Sequence, residues 1–174
     1  NYSINVHGGV FQLGYASCKN ISVHISNCIF TRNSCLNGYG GALFINIIYD
    51  IFIENCTFEN NFAELGGNAI YILGNISDDN ESELVEKQTV SITNCYFIDN
   101  QGSDGNCIYL LEYEINMFCE ISFCVFENNG INQQFNIQSS STIFNYNNNS
   151  IICKELINSN YYLILNYSES AEIT

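Results

Sequence analysis

The chain of 174 residues has no proline, no tryptophan, a single methionine, and only four lysines and arginines against 18 aspartates and glutamates. Each shortage excludes something. Without proline no backbone donor is lost from a hydrogen-bond ladder, so long uninterrupted strand stacks are permitted. The formal charge of −14 repels phosphate backbones and anionic lipid surfaces, and four scattered cations cannot form the basic footprint of a nucleic-acid binder. No apolar run reaches the roughly 20 residues of a membrane-spanning helix, so direct membrane insertion is not expected. Proteins, neutral glycans and cations remain as partner classes. With no initiator methionine or leader before Asn1, the chain reads as a fragment of a longer array.

What is present is apolar and repetitive. Hydrophobic residues make up 47% of the chain, with 12 Phe and 12 Tyr, enough for a substantial core and against global disorder. The phrase Ile-x-x-Cys-x-Phe-x-x-Asn occurs four times: Ile25, Cys28, Phe30, Asn33; Ile53, Cys56, Phe58, Asn61; Ile92, Cys95, Phe97, Asn100; and Ile121, Cys124, Phe126, Asn129. Its cysteines are 28, 39 and 29 residues apart (56−28, 95−56, 124−95). Periods of this length mark solenoids. Before each cysteine the residues alternate with period two, as in Ile21, Val23 and Ile25 against Ser22, His24 and Ser26, which is a strand with one buried face. The interval of three from Ile25 to Cys28 then requires a bend at Ser26-Asn27 if Ile25, Cys28 and Phe30 are all to face inward.

A second apolar run follows each phrase after glycines: Gly40-Gly41-Ala42-Leu43-Phe44-Ile45, Gly66-Gly67-Asn68-Ala69-Ile70-Tyr71-Ile72, and Asp104-Gly105-Asn106-Cys107-Ile108-Tyr109-Leu110. Phe135 and Ile137 form a weaker fourth version. Each unit thus holds two to three short strands and has no room for a crossover helix. The expected fold is all-β: a right-handed single-stranded parallel β-helix over 1–174, of about five to six rungs, with inward Ile, Cys and Phe columns. The long interval is an acidic insertion at 75–87. A degenerate fifth copy fits either Ile152, Glu155, Ile157 and Asn160 or the segment 142–147.

The paired phrases Phe-x-x-Asn and Gly-Gly-Ala-Leu (Gly40 to Leu43) resemble the repeats of the chlamydial polymorphic membrane proteins and related protist surface proteins, and more broadly the pectin-lyase type of parallel β-helix. The resemblance covers about Asn20 to Ile137. It implies an extracellular β-helix passenger with an adhesive role, carried in that family by a separate barrel. Gly66-Gly67-Asn68-Ala69 adds a residue to the second phrase, and Asp104-Gly105-Asn106-Cys107 replaces one glycine and the alanine.

The repeated residues read as structural. The four cysteines of the phrase are expected to be buried thiols filling space between Ile and Phe, although stacked neighbours such as Cys28 and Cys56, or Cys95 and Cys124, lie within reach of a disulfide. Cys18, Cys35, Cys107, Cys119 and Cys153 are better placed for disulfides between loops. Asn33, Asn61, Asn100 and Asn129 are expected to serve the turns, tolerating left-handed geometry and stacking their amides in a ladder. No metal site has a recognisable spacing and no cofactor is expected; calcium at the acidic stretch 78–86 is the one candidate. Seven glycosylation triplets begin at Asn1, Asn20, Asn55, Asn75, Asn80, Asn148 and Asn166, which favours an extracellular or cell-surface location.

Catalysis finds little support. Asp50, Glu54, Glu59, Asp99 and Glu127 sit at or near repeated outward positions as surface decoration, Arg32 is the only arginine, and His7 and His24 have no repeated partner. The sequence therefore favours a structural or adhesive domain presenting 34–39, 62–67, 75–87 and 101–106 as loops for protein or glycan contact. The alternative is a carbohydrate-active β-helix, a lyase or hydrolase, whose catalytic residues lie outside this fragment.

Overall fold

The computed structural model describes residues 2–4, 7–13, 22–46, 50–74, 88–103, 106–111, 117–129, 133–139, 143–147, 150–152 and 164–167. The chain enters through β1 (Tyr2–Ile4) and β2 (Phe11–Leu13). The first full turn is β3 (Ser22–Ser26), β4 (Ile29–Thr31), β5 (Ser34–Leu36) and β6 (Leu43–Asn46). The second is β7 (Asp50–Glu54), β8 (Thr57–Glu59), β9 (Phe62–Ala63) and β10 (Ile70–Leu73). The third is β11 (Gln88–Thr93), β12 (Tyr96–Ile98), β13 (Gln101–Gly102) and β14 (Asn106–Leu111). Then come β15 (Met117–Ser122), β16 (Val125–Glu127) and β17 (Gln133–Ser139), followed by β18 (Ile143–Asn147), β19 (Ser150–Ile152) and β20 (Ile164–Tyr167).

Strands pair with their counterparts one turn away, always in parallel, and so build four walls. The first wall is β3-β7-β11-β15-β18, the second β4-β8-β12-β16-β19, the third β1-β5-β9-β13, and the fourth β2-β6-β10-β14-β17-β20. This is the architecture of a right-handed parallel β-helix. Its third wall corrects the expectation of two to three strands per unit. Segments 34–39, 62–67 and 101–106 are not free loops: they contain β5, β9, β13 and the start of β14, and Tyr39 bridges to Gly66. Two or three residues suffice for a strand here because β5 and β9 are each paired on both sides and β13 is paired with β9. The insertion 75–87 lies outside the described residues.

The inward residues form columns. Backbone register places Ile25, Ile53, Ile92 and Ile121 over one another, and Phe30, Phe58, Phe97 and Phe126 likewise. The Phe rings stack at 4.9, 5.0 and 4.8 Å with interplanar angles of 7°, 5° and 3°. That spacing is the rise of one parallel strand, about 4.8 Å. Each buried Phe contributes roughly 2–3 kcal/mol of apolar transfer, and Phe58, Phe97 and Phe126 have no exposed surface. The fifth copy follows the segment 142–147: Tyr146 pairs with Ile121, and Ile151 takes the register position below Phe126.

The bends also differ from expectation. The ladder asparagines are not left-handed; the residue before each of them is, at Arg32, Asn60, Asp99 and Asn128 with φ of 51–54°. A second set of left-handed bends lies before the cysteines, at Asn27, Asn55, Asn94 and Phe123 with φ of 52–55°. Three of these four are Asn, the side chain that tolerates this region best after glycine. Gly40, at φ 73°, fits the role expected of the paired glycines: a Cβ there would fall 2.2 Å from the Leu43 carbonyl oxygen.

Candidate functional site

The interior corner after the second wall holds the most ordered chemistry. Nδ2 of Asn33 donates to Oδ1 of Asn61 at 2.9 Å, Asn61 to Asn100 at 2.9 Å, and Asn100 to Asn129 at 2.8 Å. The same oxygens accept from the backbone N–H of the preceding ladder residue at 3.0–3.1 Å. The second amide proton of Asn61, Asn100 and Asn129 goes to the carbonyl of Phe30, Phe58 and Phe97 one turn away. All four asparagines are buried. Their hydrogen-bonding capacity is spent on the turn above and the turn below, so the ladder is a structural seam and not a ligand site.

The cysteine column behaves similarly. Cys28, Cys56, Cys95 and Cys124 donate their thiols to the carbonyls of Ser26, Glu54, Thr93 and Ser122 at 3.2–3.3 Å, two residues back across the bend. Burial pushes the Cys56 thiol up to about 11. Cys95 is also held well above the usual thiol range by its hydrogen bond with Cys124 and by burial. Cys56 and Cys95, held protonated, are poor nucleophiles and metal ligands, whereas the hydrogen bond from Cys95 lowers the Cys124 thiol.

None of the seven described cysteines is joined in a disulfide. Cys35, Cys107 and Cys119 are corrected from loop disulfide partners to buried strand residues in β5, β14 and β15. Cys35 stands opposite Ala63 and Cys119 opposite Val90. Cys107 continues a column begun by Ala42 and Ala69, which are joined to it by backbone bonds of 3.0 and 2.9 Å. In each place the thiol acts as a small apolar side chain. Cys18 and Cys153 lie outside the described residues.

One buried polar group went unrecognised in the sequence. Asn68 is fully buried, and neither its Oδ1 nor its Nδ2 has a hydrogen-bond partner. Gly102 closes over it: a Cβ on Gly102 would fall 2.1 Å from the Asn68 oxygen. The signal was the residue added to the second Gly-Gly phrase, with a glycine one turn on to make room.

The outward residues are less ordered. Oδ1 of Asp50 accepts from the Thr89 N–H at 3.0 Å, and a carboxylate oxygen of Glu59 accepts from the Asn60 side chain at 3.3 Å. Glu59 and Glu127 flank Ile98 in register. His7 stacks on Phe44 at 4.4 Å, its Nδ1 accepts from the Tyr39 N–H at 3.2 Å, and burial lowers its pKa. His24 stacks on Phe52 at 4.6 Å. The two histidines therefore end aromatic stacks on the fourth and first walls. Among the described residues no group of three His, Cys, Asp or Glu is placed to hold a metal ion; the 78–86 stretch lies outside them. No helix among them is long and apolar enough to cross a membrane.

Of the glycosylation triplets, Asn55 is exposed at the bend between β7 and β8. Asn166 lies within β20, and Asn1, Asn20, Asn75, Asn80 and Asn148 are outside the described residues. Among the described residues the large exposed apolar side chains are Phe11, Ile29, Leu65, Tyr96 and Phe123.

The chain is similar to a Dictyostelium discoideum protein named metabotropic glutamate receptor-like protein R, with 29% identity over 136 residues, taking in 71% of this chain. The chain spans 8% of that protein's length. No family model matches it, and no solved structure does.

Proposed function

We propose that this chain is part of an extracellular or cell-surface β-helix that acts as a stiff structural or adhesive element, presenting its outer walls to proteins or neutral glycans. The observation that carries this reading is the division of labour between faces. The repeated polar side chains, Asn and Cys, are spent inside on holding one turn to the next, while large apolar groups stand on the outside. A catalytic solenoid needs convergent polar groups on its outer surface, whereas the carboxylates of Asp50, Glu59, Glu64 and Glu120 each accept from a donor of the coil itself: the Thr89 N–H, the Asn60 side chain, the Asn37 N–H and the Ser122 hydroxyl. The receptor-like name of the similar Dictyostelium protein supports a surface location.

The test is surface labelling of intact cells that make the protein natively, followed by mass analysis of the peptide containing Asn55. Labelling without permeabilisation and a glycan on Asn55 are expected. Labelling only after permeabilisation, with Asn55 bare, would overturn the reading.

A further inference from the structure

We propose that the outer face of the second wall, around Tyr96 and Phe123, docks an apolar-faced segment of another protein that carries lysine or arginine. This rests on the surface-presentation role above and names the face that performs it.

The alternation of the wall fixes what points outward. With Phe30, Phe58, Phe97 and Phe126 inside, the flanking positions face out: Ile29 and Thr31, Thr57 and Glu59, Tyr96 and Ile98, Val125 and Glu127. Ile29 is 73% exposed and Tyr96 51%. Tyr96 pairs in register with Val125, and Phe123, 58% exposed, stands at the bend immediately before that strand.

Phe123 breaks two local rules together. Its equivalents Asn27, Asn55 and Asn94 take the left-handed bend with a side chain suited to it, whereas Phe123 adopts φ 55° with a bulky ring. A large side chain resists that backbone region, and an aromatic ring left in water forgoes its burial. Strain combined with an exposed apolar group is the pattern of a residue kept for a contact outside the fold.

Charge selects the partner. Glu59 and Glu127 lie on either side of Ile98 in the same column, within a chain of 18 acids and four lysines and arginines. A complementary surface is therefore cationic. The aliphatic Ile29, Ile98 and Val125 call for apolar groups facing them, which a basic protein segment supplies and a hydroxyl-covered neutral glycan does not.

The test uses a fluorescent peptide of alternating Lys and Leu, with Lys–Ser and Glu–Leu peptides as controls, in fluorescence anisotropy at physiological salt. The variants Tyr96→Gln and Phe123→Asn remove both rings and leave the charge and the set of glycosylation triplets unchanged; Asn is the residue that the chain itself carries at the equivalent bend position 94. The Lys–Leu peptide is expected to bind, the double variant to bind it at least about tenfold more weakly, and both controls to bind poorly. Phe123→Asn alone is expected to raise Tm, because strain is relieved. Equal binding by the double variant, equal binding of the Lys–Ser peptide, or a lower Tm for Phe123→Asn would overturn the proposal. Neutral glycans that bind wild type and lose binding in the double variant would overturn it in favour of a glycan. Cell adhesion that survives in the double variant would leave the presentation role standing and remove this face from it.

Discussion

An amide in the corner ladder holds four groups at once, so its loss propagates to both neighbouring turns. Replacing Asn61 with Ala strips the acceptor from the Asn33 N–H and side-chain amide, the donor from the Phe30 carbonyl, and the donor from Asn100 Oδ1. These groups are buried, and unpaired buried groups cost about 1–3 kcal/mol each before relaxation. Asn61→Ala is expected to lower stability by about 3–5 kcal/mol, at the upper end for a single substitution, as read from the urea midpoint. A loss below about 1 kcal/mol would show that the ladder does not hold the turns. Cys56 gives a pH signature. Its thiol titrates near 11 in the folded chain against 9.0 ordinarily, so the unfolded chain releases this proton first. The contribution of Cys56 is whole below pH 9.0 and is lost as pH rises toward about 11, because stability falls wherever the folded state binds more protons. Cys56→Ala should flatten this part of the alkaline limb in denaturation curves measured across that range. Tyrosines titrate in both proteins, so the difference between the two curves isolates the thiol; superimposable curves would refute the assignment.

Among the elements, legibility followed the length of the pattern. The first and second walls could be read because Val23 and Ile25, then Cys28 and Phe30, keep a period of two on either side of a single slip, and the slip marks the bend. The fourth wall could be read from Leu43 and Ile45 and their counterparts after the glycines. The third wall could not. Ser34-Cys35-Leu36, Phe62-Ala63 and Gln101-Gly102 are too short to show alternation and share no residue type at either position. They become strands because the neighbouring turns present a ladder to them, a tertiary cause that local propensity does not record. Reading the first of these segments as a loop also misplaced Cys35, a small core side chain where the next turn uses Ala63; Cys107, in the apolar run after the glycines, stands where other turns use Ala42 and Ala69. The left-handed bends were within reach: Asn precedes Cys in three of the four phrases. The aromatic exception at Phe123, which carries the outer-face proposal, is visible only once the shared φ of those bends is known.

For the whole molecule, contacts between neighbouring turns make the chain nearly one-dimensional, so a whole turn is a more dispensable unit than one buried amide. Asn33 and Asn61 occupy the same corner 28 residues apart. Excising residues 34–61 joins Asn33 to Phe62 and returns every later residue to its column: Phe30 comes to lie on Phe97, and β4 meets β12. This excised chain is expected to fold with the far-UV signature of the parent and to unfold cooperatively, at a lower midpoint because one turn of stacked area is gone. Excising 34–60 leaves one residue too many in that turn. With a side-chain period of two, the slip turns the next strand's inward set toward solvent, and it sets Asn33 beside Asn61 in sequence where only one ladder position exists. That chain should lose cooperative unfolding. Were the two excisions to behave alike in thermal melts, continuous register through the columns could not be what specifies the coil.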